Sequence, residues 1–218
     1  MLASTPAVTP AAAVPPQLLG ARIVVISDFN CPYCFTLNEW LVELGLAAQV
    51  RWVGVEHKPH LPHHFEQPNA PEDLSTLQGE VADVGRRAPD LGVMLPPGWV
   101  NSREALLLQA ALEDEEPRWA PLVRREIFRR FWIQGRNIAS REELDDCLEA
   151  VGLTLPDDVF LDPEQLATIT SWWAGALDRI PCMLAPTGAR HLGLQDRRAV
   201  EAFVLGALQE PPPAEGCR

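Results

Sequence analysis

No apolar run in the 218-residue sequence approaches the roughly 20 residues that a membrane helix needs, which excludes a membrane-spanning protein. Basic residues are also scarce, since 18 Lys and Arg stand against 30 Asp and Glu and leave a net charge of −12. This deficit of positive charge argues against broad electrostatic binding to nucleic acid or to an anionic membrane surface. We therefore expect a soluble globular protein that has neither nucleic acid nor membrane among its partners.

Positive charge is missing from the start of the chain as well. No Lys or Arg precedes Arg22, there is no apolar stretch of the length that a secretory signal requires, and there is no twin-arginine pair. We expect residues 1–20 to form a flexible arm and the protein to be cytoplasmic. In that compartment a close pair of cysteines is more often catalytic or metal-binding than structural.

Cysteine is scarce and odd in number, so at least one of the five cannot form an intramolecular disulfide. Cys31 and Cys34 bracket a Cys-Pro-Tyr-Cys motif that directly follows a strand-like run and opens a helical pattern. One helical turn sets their Cα atoms about 5 Å apart, which a disulfide can span. Pro32 fits the first turn, where its missing amide costs nothing. We expect Cys31 to be the exposed attacking thiol, with a pKa lowered by the helix N-terminus, and Cys34 to be the resolving thiol.

Half of a zinc site is the alternative interpretation of this pair. Zinc needs four ligands, and the sequence has no second Cys-x-x-Cys. A zinc site remains an alternative because the sequence also has a cluster of histidines, His57, His60, His63 and His64. A solvated loop is the favoured interpretation of that segment. We favour redox chemistry with no bound metal.

Strand and helix patterns alternate at both ends of the chain. The β-branched run 22–28 is typical of a strand buried on both faces, a helix ends at Gly45, and 49–55 predicts a second, parallel strand. Near the other end, a helix opening at Asp162 precedes a short hairpin and a last amphipathic helix.

Residues 60–161 have a helical pattern throughout, and Ser140 with Glu143 matches a capping box at the start of one helix. The fold class that this order predicts is α/β. We predict one discontinuous domain made of residues 21–59 and 162–209, interrupted by a helical insertion at 60–161. The two ends are a flexible arm at 1–20 and a disordered tail at 210–218.

The order of strand, CPYC, helix, strand, helical insertion and a late Ile180-Pro181 resembles the DsbA-like thioredoxin-fold proteins. The resemblance is strongest to their FrnE and 2-hydroxychromene-2-carboxylate isomerase branch, whose acid-x-x-Cys-Pro-aromatic-Cys opening matches residues 28–34. Asn101-Ser102 with Ala105 also resembles a segment of that branch. The similarity covers about residues 20–208 and implies a thioredoxin-like fold with a large all-helical insertion.

The resemblance also implies a substrate groove and an activity. Pro181 would be cis and face the CPYC pair, so that the backbone of Ile180 can bind an extended substrate beside Pro32 and Tyr33. An ordinary trans proline is the alternative. The implied activity is thiol–disulfide exchange with protein or small-molecule thiols and disulfides. It requires no dissociable cofactor, glutathione is a candidate reductant, and we expect a monomer or a homodimer.

Other residues carry weaker hypotheses. Asp28 shares a strand face with Val24 and is a candidate acceptor for the proton of Cys34, or else a capping or solvated acid. Cys182, next to Pro181, departs from the family pattern and is either a third thiol or, as we favour, a buried strand residue. We expect Cys147 to pack in the core and Cys217 to be free and exposed, because they lie on an apolar helix face and in a Pro-rich tail.

Two rival functions remain open at this point. One is a glutathione-dependent isomerase or transferase on the same scaffold, although that branch usually has Ser where Cys31 stands. The other is a thioredoxin-fold interaction module in which the pair is oxidised and idle or holds zinc.

Overall fold

The computed structural model describes residues 22–155, 163–177 and 179–209. The predicted arm and tail, and with them Asp162 and Cys217, lie outside the described residues. Within these ranges the strands are β1 (Ile23–Ser27), β2 (Val50–Gly54), β3 (Cys182–Leu184) and β4 (Arg190–Leu192). The helices are α1 (Pro32–Glu43), α2 (Pro71–Arg87), α3 (Arg103–Glu115), α4 (Ala120–Trp132), α5 (Arg141–Val151), α6 (Pro163–Ala176) and α7 (Arg197–Gln209).

The strands form one mixed sheet in the order β2-β1-β3-β4. β1 and β2 are parallel, with Ile23 opposite Val50, whereas β3 is antiparallel to both β1 and β4, with Ile26 opposite Cys182. The predicted parallel pair and the predicted hairpin are confirmed. Strands from both ends of the sequence therefore share one sheet, and its central strand β1 is buried along its whole length, as its apolar sequence predicts.

Each face of the sheet packs against a different layer of helices. Val24, Ile26 and Cys182 point to one face, where they contact the buried side of α6. Ile23 and Val25 point to the other face and join the main core. That core includes both cysteines of the CPYC motif and large aromatic side chains from α1 and α4, which are Phe35, Trp40, Phe128, Phe131 and Trp132.

Between β2 and α6 the described chain forms helices α2 to α5 and one short 3-10 turn, Pro89–Leu91, but no strand, which confirms the predicted helical block. The predicted capping box is wrong. Ser140 is the N-cap of α5, but its side chain makes no capping hydrogen bond. Glu143 instead pairs with Arg130 and Arg136, because these guanidinium groups are better partners for a carboxylate than a backbone amide is. No described helix combines the length and the apolar character that a membrane crossing requires.

Candidate active site

The CPYC motif begins where the central strand ends. Cys31 is the N-cap of α1, and its backbone N–H donates to the carbonyl of Asp28 at 3.3 Å. The N–H groups of Cys34 and Phe35 both donate to the Cys31 carbonyl at 3.1 Å, so the first turn of α1 holds the two cysteines together. Pro32 occupies the first turn, as predicted.

The environment of Cys31 differs from the expectation of an exposed, acidic thiol. Cys31 is 3% exposed and Cys34 is fully buried. Burial raises the pKa of the Cys31 thiol well above its ordinary value, and its contact with the Cys34 thiol and the charge of Glu80 act in the same direction. A helix N-terminus stabilises an anion by only about 0.3–1 kcal/mol, which does not offset the free-energy cost of burying a charged thiolate. The expected lowering of the Cys31 pKa is therefore wrong.

Tyr33, the aromatic residue of the motif, is held against α2. Its hydroxyl donates to Oδ2 of Asp83 at 3.3 Å, and the same carboxylate accepts from Arg86 and Arg87. Burial and the nearby Asp83 charge raise the pKa of Tyr33 to about 12. α2 thus brings acidic side chains, Asp83 and the half-buried Glu80, to the CPYC motif.

The peptide bond between Ile180 and Pro181 is cis, as the family resemblance implied. Continuing the β1–β3 register past Ile26 and Cys182 places Pro181 opposite Ser27. Pro181 therefore lies at the same end of the sheet at which the chain turns into Cys31. The carbonyl of Pro181 accepts from the N–H of Gly193, and Ile180 is half-buried. The role of Ile180 and Pro181 in substrate binding stays a prediction.

Asp28 is fully buried beside this turn, which argues against a solvated acid. Its carboxylate accepts from the backbone N–H of His57 at 3.0 Å and from the N–H of Asn30 at 3.4 Å. It also bonds the His57 ring, at 2.7 Å from Nδ1, and the hydroxyl of Ser102. Both of its oxygens are thus occupied by partners other than Cys34.

His57 is the site residue that the sequence interpretation missed. His60, His63 and His64 are exposed, in keeping with a solvated loop, but the His57 side chain is only 15% exposed and is bound to Asp28. A signal was present in the sequence. Asp28 comes directly after β1 and His57 comes shortly after β2, and the carboxyl ends of neighbouring parallel strands lie at the same edge of a sheet.

Indole groups fix the backbone of the turn that leads into the motif. Nε1 of Trp132 donates to the carbonyl of Phe29 at 2.9 Å, and Nε1 of Trp99 donates to that of Asn30 at 2.6 Å. The Trp99 ring also lies 6.3 Å from the His57 ring and 4.4 Å from Nζ of Lys58. The helical insertion therefore builds one wall of the site.

No group of three or more metal-ligating side chains could hold a metal ion within the ranges that the structure describes. His60 is engaged elsewhere, since its Nε2 lies 3.0 Å from Oδ2 of Asp73 on α2. The described donors therefore do not assemble the four-ligand set that a zinc site needs.

The remaining described cysteines are packed in the core. Cys182 is fully buried on the sheet face opposite Cys31 and Cys34, and burial raises its pKa to about 11. This placement favours a buried strand residue over a third thiol. Cys147 is fully buried, which confirms its predicted packing role, and burial raises its pKa to about 12.

Known structures share this architecture at low sequence identity. A protein from Nitrosomonas europaea that carries the provisional name protein disulfide isomerase superimposes with a TM-score of 0.67 at 15% identity, covering 86% of this chain and 97% of its own. The cytosolic disulfide reductase DsbM from Pseudomonas aeruginosa with GSH gives a TM-score of 0.56 at 18% identity over 87% and 100%. A 2-hydroxychromene-2-carboxylate isomerase gives 0.57 at 16% over 85% and 95%.

No curated protein matches this sequence significantly. Residues 22–162, which are well over half of the chain, match the DSBA-like thioredoxin domain. This segment contains the CPYC motif, the Asp28–His57 pair and helices α1 to α5. The chain therefore belongs to the family of DSBA-like thioredoxin domains.

Proposed function

We propose that this protein is a thiol–disulfide oxidoreductase in which Cys31 attacks and Cys34 resolves. The observation that carries the proposal is the placement of Cys31 and Cys34 on the first turn of α1, where the Cys34 N–H donates to the Cys31 carbonyl at 3.1 Å, at the end of the sheet where Pro181 also lies. The Cys31 thiolate attacks a substrate disulfide, which forms a mixed disulfide and releases one substrate thiol. Cys34 then attacks Cys31, which releases the second thiol and leaves the Cys31–Cys34 disulfide. Two electrons thereby pass to the substrate.

Burial supports reduction of substrates as the direction of this exchange. A dithiol pair is strongly oxidising when its attacking thiolate is stabilised in the reduced form. Here burial and the Glu80 charge disfavour the Cys31 thiolate, so the reduced pair lacks that stabilisation. Glutathione is the reductant that we propose for returning the oxidised pair to the dithiol. The DsbM neighbour, named as a cytosolic disulfide reductase with GSH, has the same fold, and we propose the cytoplasm as the location here too.

The test is a redox titration of the purified protein in glutathione buffers, read by thiol trapping and peptide mass spectrometry. We expect Cys31 and Cys34 to convert together between dithiol and disulfide, while Cys147 and Cys182 stay reduced. The Cys34→Ser variant should accumulate a mixed disulfide on Cys31, because it lacks the resolving thiol. Absence of a paired transition in the wild-type protein would reject the proposal and favour a non-catalytic interaction module.

A glutathione-dependent isomerase is the second candidate, favoured by the similarity of fold to 2-hydroxychromene-2-carboxylate isomerase over 85% of the chain. In that case one thiol suffices, because it need only activate bound glutathione. The Cys34→Ser variant separates the two functions. If it keeps glutathione-dependent isomerisation while disulfide exchange stalls, the isomerase is the better assignment.

A further inference from the structure

The His57 ring is held in one orientation and one protonation pattern. Asp28 also accepts from two backbone N–H groups and from the Ser102 hydroxyl, an arrangement that suits an ionised carboxylate, which only accepts. The His57 nitrogen that lies 2.7 Å from this carboxylate, Nδ1, must therefore carry a hydrogen. In the neutral ring, Nε2 is then the acceptor. Among the described residues no hydrogen bond occupies that nitrogen, so it is available to take a proton.

The turn that ends at Cys31 and an acidic residue of α2 both connect this ring with the CPYC motif. Asp28 precedes Cys31 by three residues, and the turn between them is closed by the hydrogen bond from the Cys31 N–H. The acidic residue is Glu80 on α2, whose charge adds to the rise that burial causes in the pKa of the Cys31 thiol. Burial raises the pKa of Glu80 itself, and the nearby His57 acts in the opposite direction. The acids that act on the imidazole are Asp28, which is bonded to it, and Glu80. Lys58, the next residue, lies over the Trp99 ring and pairs with Asp73.

The same geometry argues against Asp28 as the direct acceptor. Each of its oxygens already has two hydrogen-bond partners, which is its capacity. A buried carboxylate that is paired in this way holds its partner in place, as in sites where a carboxylate orients a histidine for proton transfer. Meanwhile the buried thiol of Cys31 needs a nearby group to receive its proton, because burial opposes the thiolate.

We propose that His57 is the proton acceptor of the CPYC site and that Asp28 is a positioning residue that acts through it. This inference rests on the proposed thiol–disulfide function. The Cys31 thiol gives its proton to Nε2 of His57, directly or through one water, and becomes the thiolate. The thiolate attacks the substrate disulfide, and the departing sulfur takes the proton back from the imidazolium. Each proton that leaves Cys31 is thus returned to the released thiol.

The test is the pH–rate profile of reduced protein with 5,5′-dithiobis(2-nitrobenzoate), whose aromatic thiolate is released as Cys31 forms a mixed disulfide. All proteins carry Cys217→Ser, so that this thiol does not react. We expect the wild-type rate to show a step as the His57 ring changes its protonation state. His57→Gln should lose the step and react at least about tenfold more slowly at pH 7, at the low end of general acid–base effects.

Matched variants separate proton transfer from a general disturbance of the loop. His60→Gln changes a histidine of the same loop that is bound to a different carboxylate, Asp73, and its profile should match the wild type. Asp28→Asn should slow the reaction, but it should add no further loss in the His57→Gln background, because Asp28 acts through His57. A His57→Gln profile that matches His60→Gln would overturn the proposal, and so would independent losses from Asp28 and His57.

A measurement on the wild-type protein keeps the test open if His57→Gln does not fold. The Nε2 resonance of His57 is followed against pH in the reduced and in the oxidised protein. We expect the midpoint to move between the two states, because only the reduced pair exchanges a proton with the ring, and identical curves would overturn the proposal. The outcome is distinct from the redox titration. A pair that fails to cycle in glutathione rejects the proposed function, whereas a pair that cycles without dependence on His57 rejects only this inference.

Discussion

Arg124 and Glu113 form an ion pair in a part of the core that solvent does not reach, with 3.0 Å between Nη1 and Oε1 and side chains 0% and 4% exposed. Burial raises the pKa of Glu113 and lowers that of Arg124 to about 10, so for each group the loss of hydration outweighs the partner's attraction. Nε of Arg124 also donates to Asn38, and its guanidinium lies 4.6 Å from the centre of the Trp52 ring. The pair therefore connects α3, α4, α1 and β2 through one polar network.

We predict that breaking this pair from one side is far more damaging than replacing both partners. Glu113→Ala leaves an uncompensated buried guanidinium and should lower the free energy of unfolding by about 3–5 kcal/mol. The double variant Glu113→Leu/Arg124→Met should recover most of that loss. Asp114→Ala is the control, because it breaks the neighbouring exposed pair with Arg51 and should change stability by less than about 1 kcal/mol. Urea unfolding measures all three, and a double variant no more stable than Glu113→Ala would contradict this account.

We predict that a side chain at Gly54, at the end of β2, destabilises the protein, because α3 packs directly against this glycine. A Cβ at this position would lie 2.7 Å from Cδ2 of Leu106. We expect Gly54→Ala to lower the free energy of unfolding by about 1–3 kcal/mol, the usual range for overpacking. Gly79→Ala on α2 is the matched control, since a Cβ there meets nothing within 4 Å. It should stabilise the protein by about 0.5–1 kcal/mol in thermal unfolding, because alanine favours a helix interior. Equal effects at both glycines would show that packing at β2 is not the cause.

The elements of the sheet and the CPYC helix could be predicted because their signals are local. The apolar run of β1 and the Pro32 that opens α1 lie within short windows. The end of α1 is equally local, since Gly45 has a φ of +71° that other residues rarely adopt. Cis Pro181 was different, because only the resemblance to a family pointed to it.

The chemistry of the site depended on contacts between distant segments, which a local sequence pattern does not encode. Only the shared sheet edge of β1 and β2 pointed to one of them, the Asp28–His57 contact. The helix N-terminus at Cys31 was visible, but the burial of its thiol and the approach of Glu80 from α2 were not. Asp28 was recognised as a carboxylate near the pair, whereas its partners His57 and Ser102 lie 29 and 74 residues away in the chain. Local pattern therefore located the reactive residues, and tertiary packing determined what surrounds them.

The burial of Cys31 predicts a thiol that reacts slowly at neutral pH and faster as the pH rises. Because its pKa is raised, the thiolate fraction should increase about tenfold per pH unit between pH 7 and 9. Glu80→Gln removes a negative charge that raises this pKa and should speed alkylation about fivefold at pH 8, which corresponds to roughly 1 kcal/mol. Glu72→Gln, at the exposed first turn of the same helix, should have no effect. Iodoacetamide labelling followed by peptide mass spectrometry measures these rates in proteins that carry His57→Gln, so that proton transfer to the ring does not contribute. A rate that is already constant below pH 7 would show a stabilised thiolate instead.

Because His191 is buried, we predict that the protein loses stability on mild acidification. It lies on β4 with 6% exposure, its ring centre is 5.4 Å from that of Phe203, and burial lowers its pKa. Above about pH 6.5 the ring is neutral in both the folded and the unfolded chain and contributes no pH dependence. As the pH falls below that value, the unfolded chain binds a proton first, so the free energy of unfolding decreases, by at most about 1.4 kcal/mol per pH unit.

The His191→Leu variant isolates this contribution from the carboxylates that also titrate in acid. Leucine keeps the site apolar and takes up no proton, so the difference in free energy of unfolding between variant and wild type should grow as the pH falls from 7 to 5. His63→Leu, at an exposed position of the loop after β2, is the matched control and should give a difference that does not grow. Urea unfolding at several pH values measures both. If the His191→Leu difference is constant with pH, the ring is not buried in its neutral form in the folded protein, and acid sensitivity must come from elsewhere in the molecule.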